Sequence, residues 1–469
     1  MPKETNVLYV LAQNPDYNRS DKRPLLQGVL KRKDLLPFVD SNFLTNYLSE
    51  QPLPGIDDFS FDWYPRNAPG HFIAKQVQSP GKVIEEPITS EKMVEILAKE
   101  DYSHVYLASY LNGYQTFKEI ASLVRQTDPS IHLIAGSNSA LLPETRHFVD
   151  ECLVGDSVMG MRRILHEPLD YARQPIIVPS DTTTTFHGMS KTTRYGLLIT
   201  GFGCRYGCDF CPSTAQWGRK ETYPISTEAI AMAIHQSQSK IGNSDREITL
   251  SLAEPQGLAG KKWEGVFTLC KDLPFKCNLV STTSSKVITQ FNIDTLTKGN
   301  MRLSTVNIGV ESIIDGGYEK NSGVNLRELV KKLQGSGINV ILTYIIGFYN
   351  QNREVILREV EQLKALGASG HIVANLELQP GTPLYQDFQQ SGKLLPVPPE
   401  LLAMPGYQSY HHPSFRTGFN DILPLLDEVN SLLDQSVFIL GNDPLKQDII
   451  FREKYRQIDL FHPYILTTN

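Results

Sequence analysis

Three cysteines fall within eight residues, Cys204, Cys208 and Cys211 in the run Gly203-Cys204-Arg205-Tyr206-Gly207-Cys208-Asp209-Phe210-Cys211-Pro212. A loop so dense in thiols is built around what the thiols hold. Three thiolates can bind three irons of a four-iron, four-sulfur cluster and leave the fourth iron open to a ligand that is not protein. A structural zinc knuckle instead wants four closed ligands, usually in paired short spacings. No second Cys pair or Cys/His pair follows at a suitable distance, because Cys270 and Cys277 are too far from each other and too far downstream. The remaining bland reading is a fortuitous gathering of structural thiols.

The rest of the composition sets bounds. A chain of 469 residues with 41% hydrophobic content is too long for one ordinary domain and suffices for two sizeable cores plus an appendage. The net charge of −6 and the absence of a Lys/Arg-rich stretch give no electrostatic footprint for nucleic acid or an anionic membrane. The polar start, residues 1–6, leads into an apolar run at 7–11 that is far too short for a signal-peptide core or a membrane span, so a cytoplasmic protein is expected. A cluster needs reduced thiols, which argues against a disulfide framework for the six cysteines. Cys152, Cys270 and Cys277 read as buried, inert thiols.

Up to about residue 175 the chain alternates strand and helix patterns. Apolar runs at 7–11, 104–108, 131–136 and 151–155 read as buried strands, with helical periodicity at 114–127 and polar helix signals at 143–149. These are βαβ units, hence a parallel sheet with covered faces, a doubly wound, Rossmann-like α/β arrangement. Ligands of such sheets sit beyond the carboxyl ends of the strands. Those ends carry Asn14, Ser109, Gly136, Ser137, Asn138 and Gly155, mostly small or polar. Prolines at 168, 175 and 179 and the four threonines Thr182 to Thr185 then suggest a surface linker over 179–192. A second set of βα units follows, with six strands predicted at 195–200, 247–252, 277–280, 305–310, 340–346 and 371–375 and helices such as 326–335 and 352–366. Beyond about residue 395 the pattern is less legible; 425–433 has helical spacing that Pro424 is placed to open, and residues 407–413 gather aromatic and imidazole groups.

The C-x3-C-x2-C spacing, with the aromatic Phe210 before the last cysteine, resembles the signature of the radical S-adenosylmethionine superfamily. Two more stretches carry the resemblance: Gly309-Val310-Glu311-Ser312, and the turn Pro380-Gly381-Thr382-Pro383-Leu384-Tyr385. The segment before the linker resembles the cobalamin-binding domain of one large branch of that superfamily, on its succession of elements, the stretch 136–144 and Val154-Gly155-Asp156 entering a helix. The Asp-x-His-x-x-Gly motif, whose histidine coordinates cobalt in other cobalamin enzymes, is absent; the alternative is a domain that keeps the fold without the corrin. The resemblance implies a cobalamin-binding-like domain over 1–178, a linker, a partial (β/α)6 barrel over 193–390 with a 4Fe-4S cluster on Cys204, Cys208 and Cys211, and a mostly helical extension over 391–469. It implies that S-adenosylmethionine chelates the open iron, with Phe210 beside the adenine and Glu254, Ser281, Thr283, Gly309, Glu311 and Ser312 around the cofactor. Here Leu252-Ala253 stands before Glu254 where the family usually has two glycines. Asn14, Ser109, Gly136, Ser137, Asn138 and Gly155 are the candidates for cobalamin.

The chemistry implied is cleavage of S-adenosylmethionine to a 5'-deoxyadenosyl radical, fed by an electron donor such as flavodoxin or ferredoxin. With cobalamin, the leading expectation is methyl transfer to an unactivated carbon, or to phosphorus, of a small molecule. The alternative is a radical rearrangement, cyclisation or dehydrogenation, with or without cobalamin. A non-catalytic binding module would need a vestigial cluster, against three intact cysteines, and a tRNA methylthiotransferase would need a second cysteine triad and a basic appended domain that the sequence lacks.

Overall fold

The structure is a computed structural model that describes residues 5–13, 23–50, 59–63, 67–85, 88–186, 189–222, 225–241, 247–254, 256–313 and 318–433. Its first sheet has five parallel strands in the order Gly81–Val83, Val7–Ala12, His104–Ser109, His132–Gly136, Glu151–Cys152. Every residue of Val7–Ala12 is buried, as a strand with both faces covered requires. Val7, Tyr9 and Leu11 pack on one face with Phe72, Val158 and Met161. Leu8, Val10 and Ala12 pack on the other with Met93, Phe117 and Ile120. The order reverses about Val7–Ala12, whose neighbours are reached in opposite directions, and such a switch point opens a crevice at the carboxyl ends of the strands.

The second sheet has eight strands in the order Gly370–Asn375, Asn339–Ile346, Met301–Glu311, Lys276–Thr283, Glu247–Leu252, Met189–Ile199, Ile176–Phe186, Phe59–Trp63. The first six run parallel, each beside its predecessor in sequence. Helices Thr227–His235, Lys262–Leu269, Leu326–Gly335 and Arg353–Ala365 bury Ile234, Trp263, Leu333 and Val360 on the same core as strand residues Leu250, Leu279, Ile308 and Leu342. Asn325 and Asn352 start the last two of these helices by accepting from the backbone amides of Glu328 and Val355.

The span expected as a linker, 179–192, is instead the tip of a long hairpin. Ile176–Phe186 pairs antiparallel with Met189–Ile199, and Phe59–Trp63 pairs on its outer side, with Thr182 opposite both Trp63 and Thr193. Threonine is β-branched and suited to strands; the run lacks apolar periodicity because it lies near a sheet edge. Residues 23–50 also reach across the molecule. Leu26, Val29 and Leu44 share a small core with Leu401, Tyr407 and Phe419, and the Tyr407 hydroxyl donates to the Phe38 carbonyl at 2.8 Å. The last helix among the described residues, Ile422–Leu433, begins two residues before Pro424; residues 434–469 of the expected helical extension lie outside the described residues.

Candidate active site

The strand Met189–Ile199 delivers the chain to the cysteine loop, which the short strand Phe202–Gly203 anchors by pairing with Glu221–Thr222. Gly207 turns the loop at φ +63°, and the Arg219 side chain lies against it where a Cβ would stand. The Cys208 carbonyl accepts from the Cys211 amide at 3.2 Å and from the Thr214 hydroxyl at 2.8 Å. All three cysteines are free thiols. Burial pushes the Cys208 thiol up to about 12, against the pull of Lys320, and burial raises Cys211 as well. Thiols held in this way stay protonated until a metal displaces the proton. Among the described residues, no three His, Cys, Asp or Glu side chains gather as ligands of one metal ion. A four-iron cluster asks for something else, one thiolate per iron at separate corners.

A cavity of about 320 Å³ joins this loop to the first sheet. On one side it is walled by Leu11, Tyr110, Ser137 and Gly155, at or just past the carboxyl ends of the first sheet's strands, with Phe72 and Tyr106. On the other lie Cys204, Cys208, Cys211 and the carboxyl ends of the second sheet, with Thr283, Gly309, Glu311 and Thr343. The volume is at the lower end for a small-molecule site. The indole N–H of Trp217 and the hydroxyl of Thr282, both on cavity-lining residues, are buried without a hydrogen-bond partner among the described residues. Such unpaired polar atoms in a wall fit a bound ligand.

The two sides are tied directly. The Gln216 side-chain amide donates to the Ser137 carbonyl at 2.8 Å, and the Asn138 amide donates to Gln379 at 3.2 Å. Gly155, at φ +85°, faces the Gln216 carbonyl, which a Cβ there would approach to 3.2 Å. Phe72, Phe202 and Trp217 form an aromatic run, edge-to-face at 4.9 Å and then stacked at 5.6 Å.

Of the residues singled out in the sequence, Cys204, Cys208, Phe210, Cys211, Thr283, Gly309, Glu311, Ser137, Asn138 and Gly155 line this cavity. Phe210 is held edge-on by Tyr318 and Phe348 at 5.1 and 5.8 Å. Five others do not line it. Glu254 is buried and accepts from Thr200. Ser281 packs against Gly257, and its hydroxyl donates to the Thr282 carbonyl at 3.3 Å. The Ser312 hydroxyl turns away to Glu359 at 2.8 Å. Ser109 donates to the Tyr110 carbonyl at 2.7 Å, and Gly136 leaves space for the Tyr106 phenol. Asn14 lies outside the described residues.

Sequence reasoning missed Gln256 and Lys320. Gln256 holds three groups at once: the Cys204 thiol donates to its carbonyl at 3.8 Å, and its amide donates to the Thr283 and Ser284 hydroxyls at 3.1 and 3.5 Å. Lys320 pairs with Glu311. Burial works against its ammonium, but the Glu311 carboxylate and Cys208 outweigh that and hold the amine above its ordinary value. Glu311 itself has φ +64°, a left-handed conformation rare outside glycine, and Gly309 supplies the space that the pair occupies.

No protein-family model matches the sequence, and neither does any curated protein. Solved structures do match. TsrM from Kitasatospora setae, a radical S-adenosylmethionine methyltransferase with cobalamin and a [4Fe-4S] cluster bound, aligns with a TM-score of 0.52 at 12% identity over 84% of this chain and 80% of its own. The same enzyme with tryptophan substrate and the S-adenosylmethionine analogue aza-SAM gives 0.52 and 12% over 83% and 76%. At such identity the likeness is one of fold: this chain has the fold of that cobalamin- and cluster-binding radical S-adenosylmethionine methyltransferase.

Proposed function

We propose that this protein is a radical S-adenosylmethionine enzyme, and most concretely a cobalamin-dependent methyltransferase acting on an unactivated carbon of a small molecule. One observation carries the reading: a single cavity joins three free thiols in a cluster-type spacing to the carboxyl edge of a doubly wound parallel sheet. Cys204, Cys208 and Cys211 would hold the 4Fe-4S cluster; Phe210, Thr283, Gly309 and Glu311 would surround S-adenosylmethionine; Ser137, Asn138 and Gly155 would meet the corrin. When bound, these groups supply one-electron cleavage of the sulfonium and a transferable methyl group. The protein's part is to exclude water and fix positions. Phe210, Tyr318 and Phe348 make a rigid aromatic wall beside the cluster loop. Gln256 fixes Cys204 relative to Thr283. The six parallel strands, in sequential order, are read as a partial (β/α)6 barrel, whose active-site groups lie at the carboxyl ends. An external one-electron donor such as flavodoxin or ferredoxin is implied. No nucleic-acid partner is expected, and no helix among the described residues is long and apolar enough to cross a membrane.

The test is anaerobic purification, cluster reconstitution, incubation with hydroxocobalamin, and a visible spectrum after gel filtration. Corrin bands that travel with the iron–sulfur absorption are expected, followed by methylated product. A spectrum with the cluster alone would overturn methyl transfer in favour of rearrangement or dehydrogenation, and a protein that retains no iron would overturn the radical reading.

A further inference from the structure

Gln256 is buried behind Cys204, and the hydrogen bonds that pass through it run in a closed path. The Cys204 thiol donates to the Gln256 carbonyl at 3.8 Å, and the Gln256 amide donates to the Ser284 hydroxyl at 3.5 Å. The Ser284 hydroxyl donates in turn to the Tyr206 hydroxyl at 3.2 Å. Tyr206 belongs to the cysteine loop, between Cys204 and Cys208, so the path leaves the loop at one residue and returns to it at another. A branch from the same amide reaches the Thr283 hydroxyl at 3.1 Å. Ser284 is held in place as the cap of the helix Ser285–Ile288, where it accepts from the Val287 amide at 3.3 Å.

This path can run in either direction. A cysteine that ligates iron is a thiolate with no proton to donate. A carbonyl oxygen beside it would set two acceptors against each other in a buried place. Turning the Gln256 amide over exchanges its oxygen and its nitrogen at the same two positions, which brings an N–H to the sulfur. The oxygen then accepts from Thr283 and Ser284, and Tyr206 donates to Ser284, because hydroxyls donate or accept by rotation. Every polar atom on the path keeps a partner in both directions. We infer that Gln256 donates a hydrogen bond to the Cys204 thiolate once the cluster is bound, and that this bond raises the cluster's reduction potential by favouring the more negative, reduced state. The inference rests on the function proposed above, in which Cys204 is a cluster ligand.

The test is a redox titration of the anaerobically reconstituted protein, poised with titanium(III) citrate and followed by the paramagnetic signal of the reduced cluster, with iron content and circular dichroism as controls. Gln256→Met keeps the length of the side chain and removes its N–H. It should shift the one-electron equilibrium roughly tenfold toward the oxidised cluster, a potential lower by about 59 mV. Gln256→Glu keeps the shape, and keeps oxygens to which Thr283 and Ser284 can donate, but offers sulfur no N–H; it should fall at least as far, which a merely structural clamp would not. Tyr206→Phe leaves Gln256 in place and should move the potential less. In wild-type protein carrying 15N in its glutamine side chains, the reduced cluster should show a 15N hyperfine coupling that Gln216→Ala retains and Gln256→Glu loses. If both Gln256 variants fail to hold iron, the coupling in the wild type and in Gln216→Ala decides. Wild-type potentials in iron-replete Gln256→Met and Gln256→Glu, or a wild type without the coupling, overturn the inference and leave the cluster reading intact. A wild type that retains no iron overturns both.

Discussion

The two sheets meet at one cavity but bring different chemistry to it. The first sheet offers Leu11, Phe72, Tyr106 and Tyr110 with small polar residues at its carboxyl edge, and among the cavity-lining residues it contributes no charge. The second offers three thiols, an ion pair and a row of hydroxyls. An apolar, aromatic edge suits a large flat ligand held by contact area; a charged, thiol-rich edge suits ligands that must be oriented atom by atom. The difference teaches that one cavity has an apolar edge and a charged one, and that substitutions on the two edges should fail in different ways.

The largest contrast comes from Cys208→Ala. It should drop the iron content from about four per chain to near zero, measured by metal analysis after reconstitution, while the first sheet keeps its fold; a full iron complement would remove the basis of the site.

Matched glycine substitutions sharpen the comparison. A methyl at Gly136 would strike the Tyr106 phenol, and one at Gly309 would strike Glu311 and Lys320. Each should destabilise by about 1–3 kcal/mol in chemical denaturation. Only Gly309→Ala should weaken binding of adenosyl ligands, and only Gly136→Ala should disturb the corrin; equal effects on both ligands would erase the distinction between the edges.

Alkali should press on both regions from the same pH. Burial pushes the Cys270 thiol of the second region from 9.0 up to about 12 and raises the Cys152 thiol of the first from 9.0 as well. A folded value raised above the unfolded one contributes stability that is complete below the unfolded value and is lost as pH rises toward the folded one. Both regions should therefore weaken from about pH 9. Hydrogen exchange resolved by region between about pH 8.5 and 10.5 reads this, and Cys270→Val should flatten the loss in the second region alone; a matching change in the first would count against separate cores.

The smallest effect belongs to the tie between the edges. Gln216→Ala removes the hydrogen bond to the Ser137 carbonyl and should cost about 1 kcal/mol. A drop in corrin retention with unchanged iron would identify it as a spacer between the two edges.

Much of this was legible because it is local. The cysteine loop, the Gly-Val-Glu-Ser run and the apolar strands carry their meaning in consecutive residues, and the helices Leu326–Gly335 and Arg353–Ala365 lie where helical patterning predicts. The threonine run was misread because strands near a sheet edge need no apolar pattern; their backbone bonds suffice. Glu254 and Ser312 sit in family-like stretches, yet their partners are Thr200 and Glu359, 54 and 47 residues away. Nothing within a few residues of either announces that choice.

The sequence by itself determined an α/β chain with two sets of parallel strands and a cysteine loop of cluster-type spacing, since periodicity and thiol spacing act over short distances. Only the tertiary structure decided which polar residues face the cavity and which are spent on packing. It carried Phe59–Trp63 into the second sheet, set Gln256 behind Cys204, and brought Lys320 from a separate turn onto Glu311. The physical reason is that a buried polar group must find a partner. Which partner it finds depends on how strands far apart in sequence come to lie side by side.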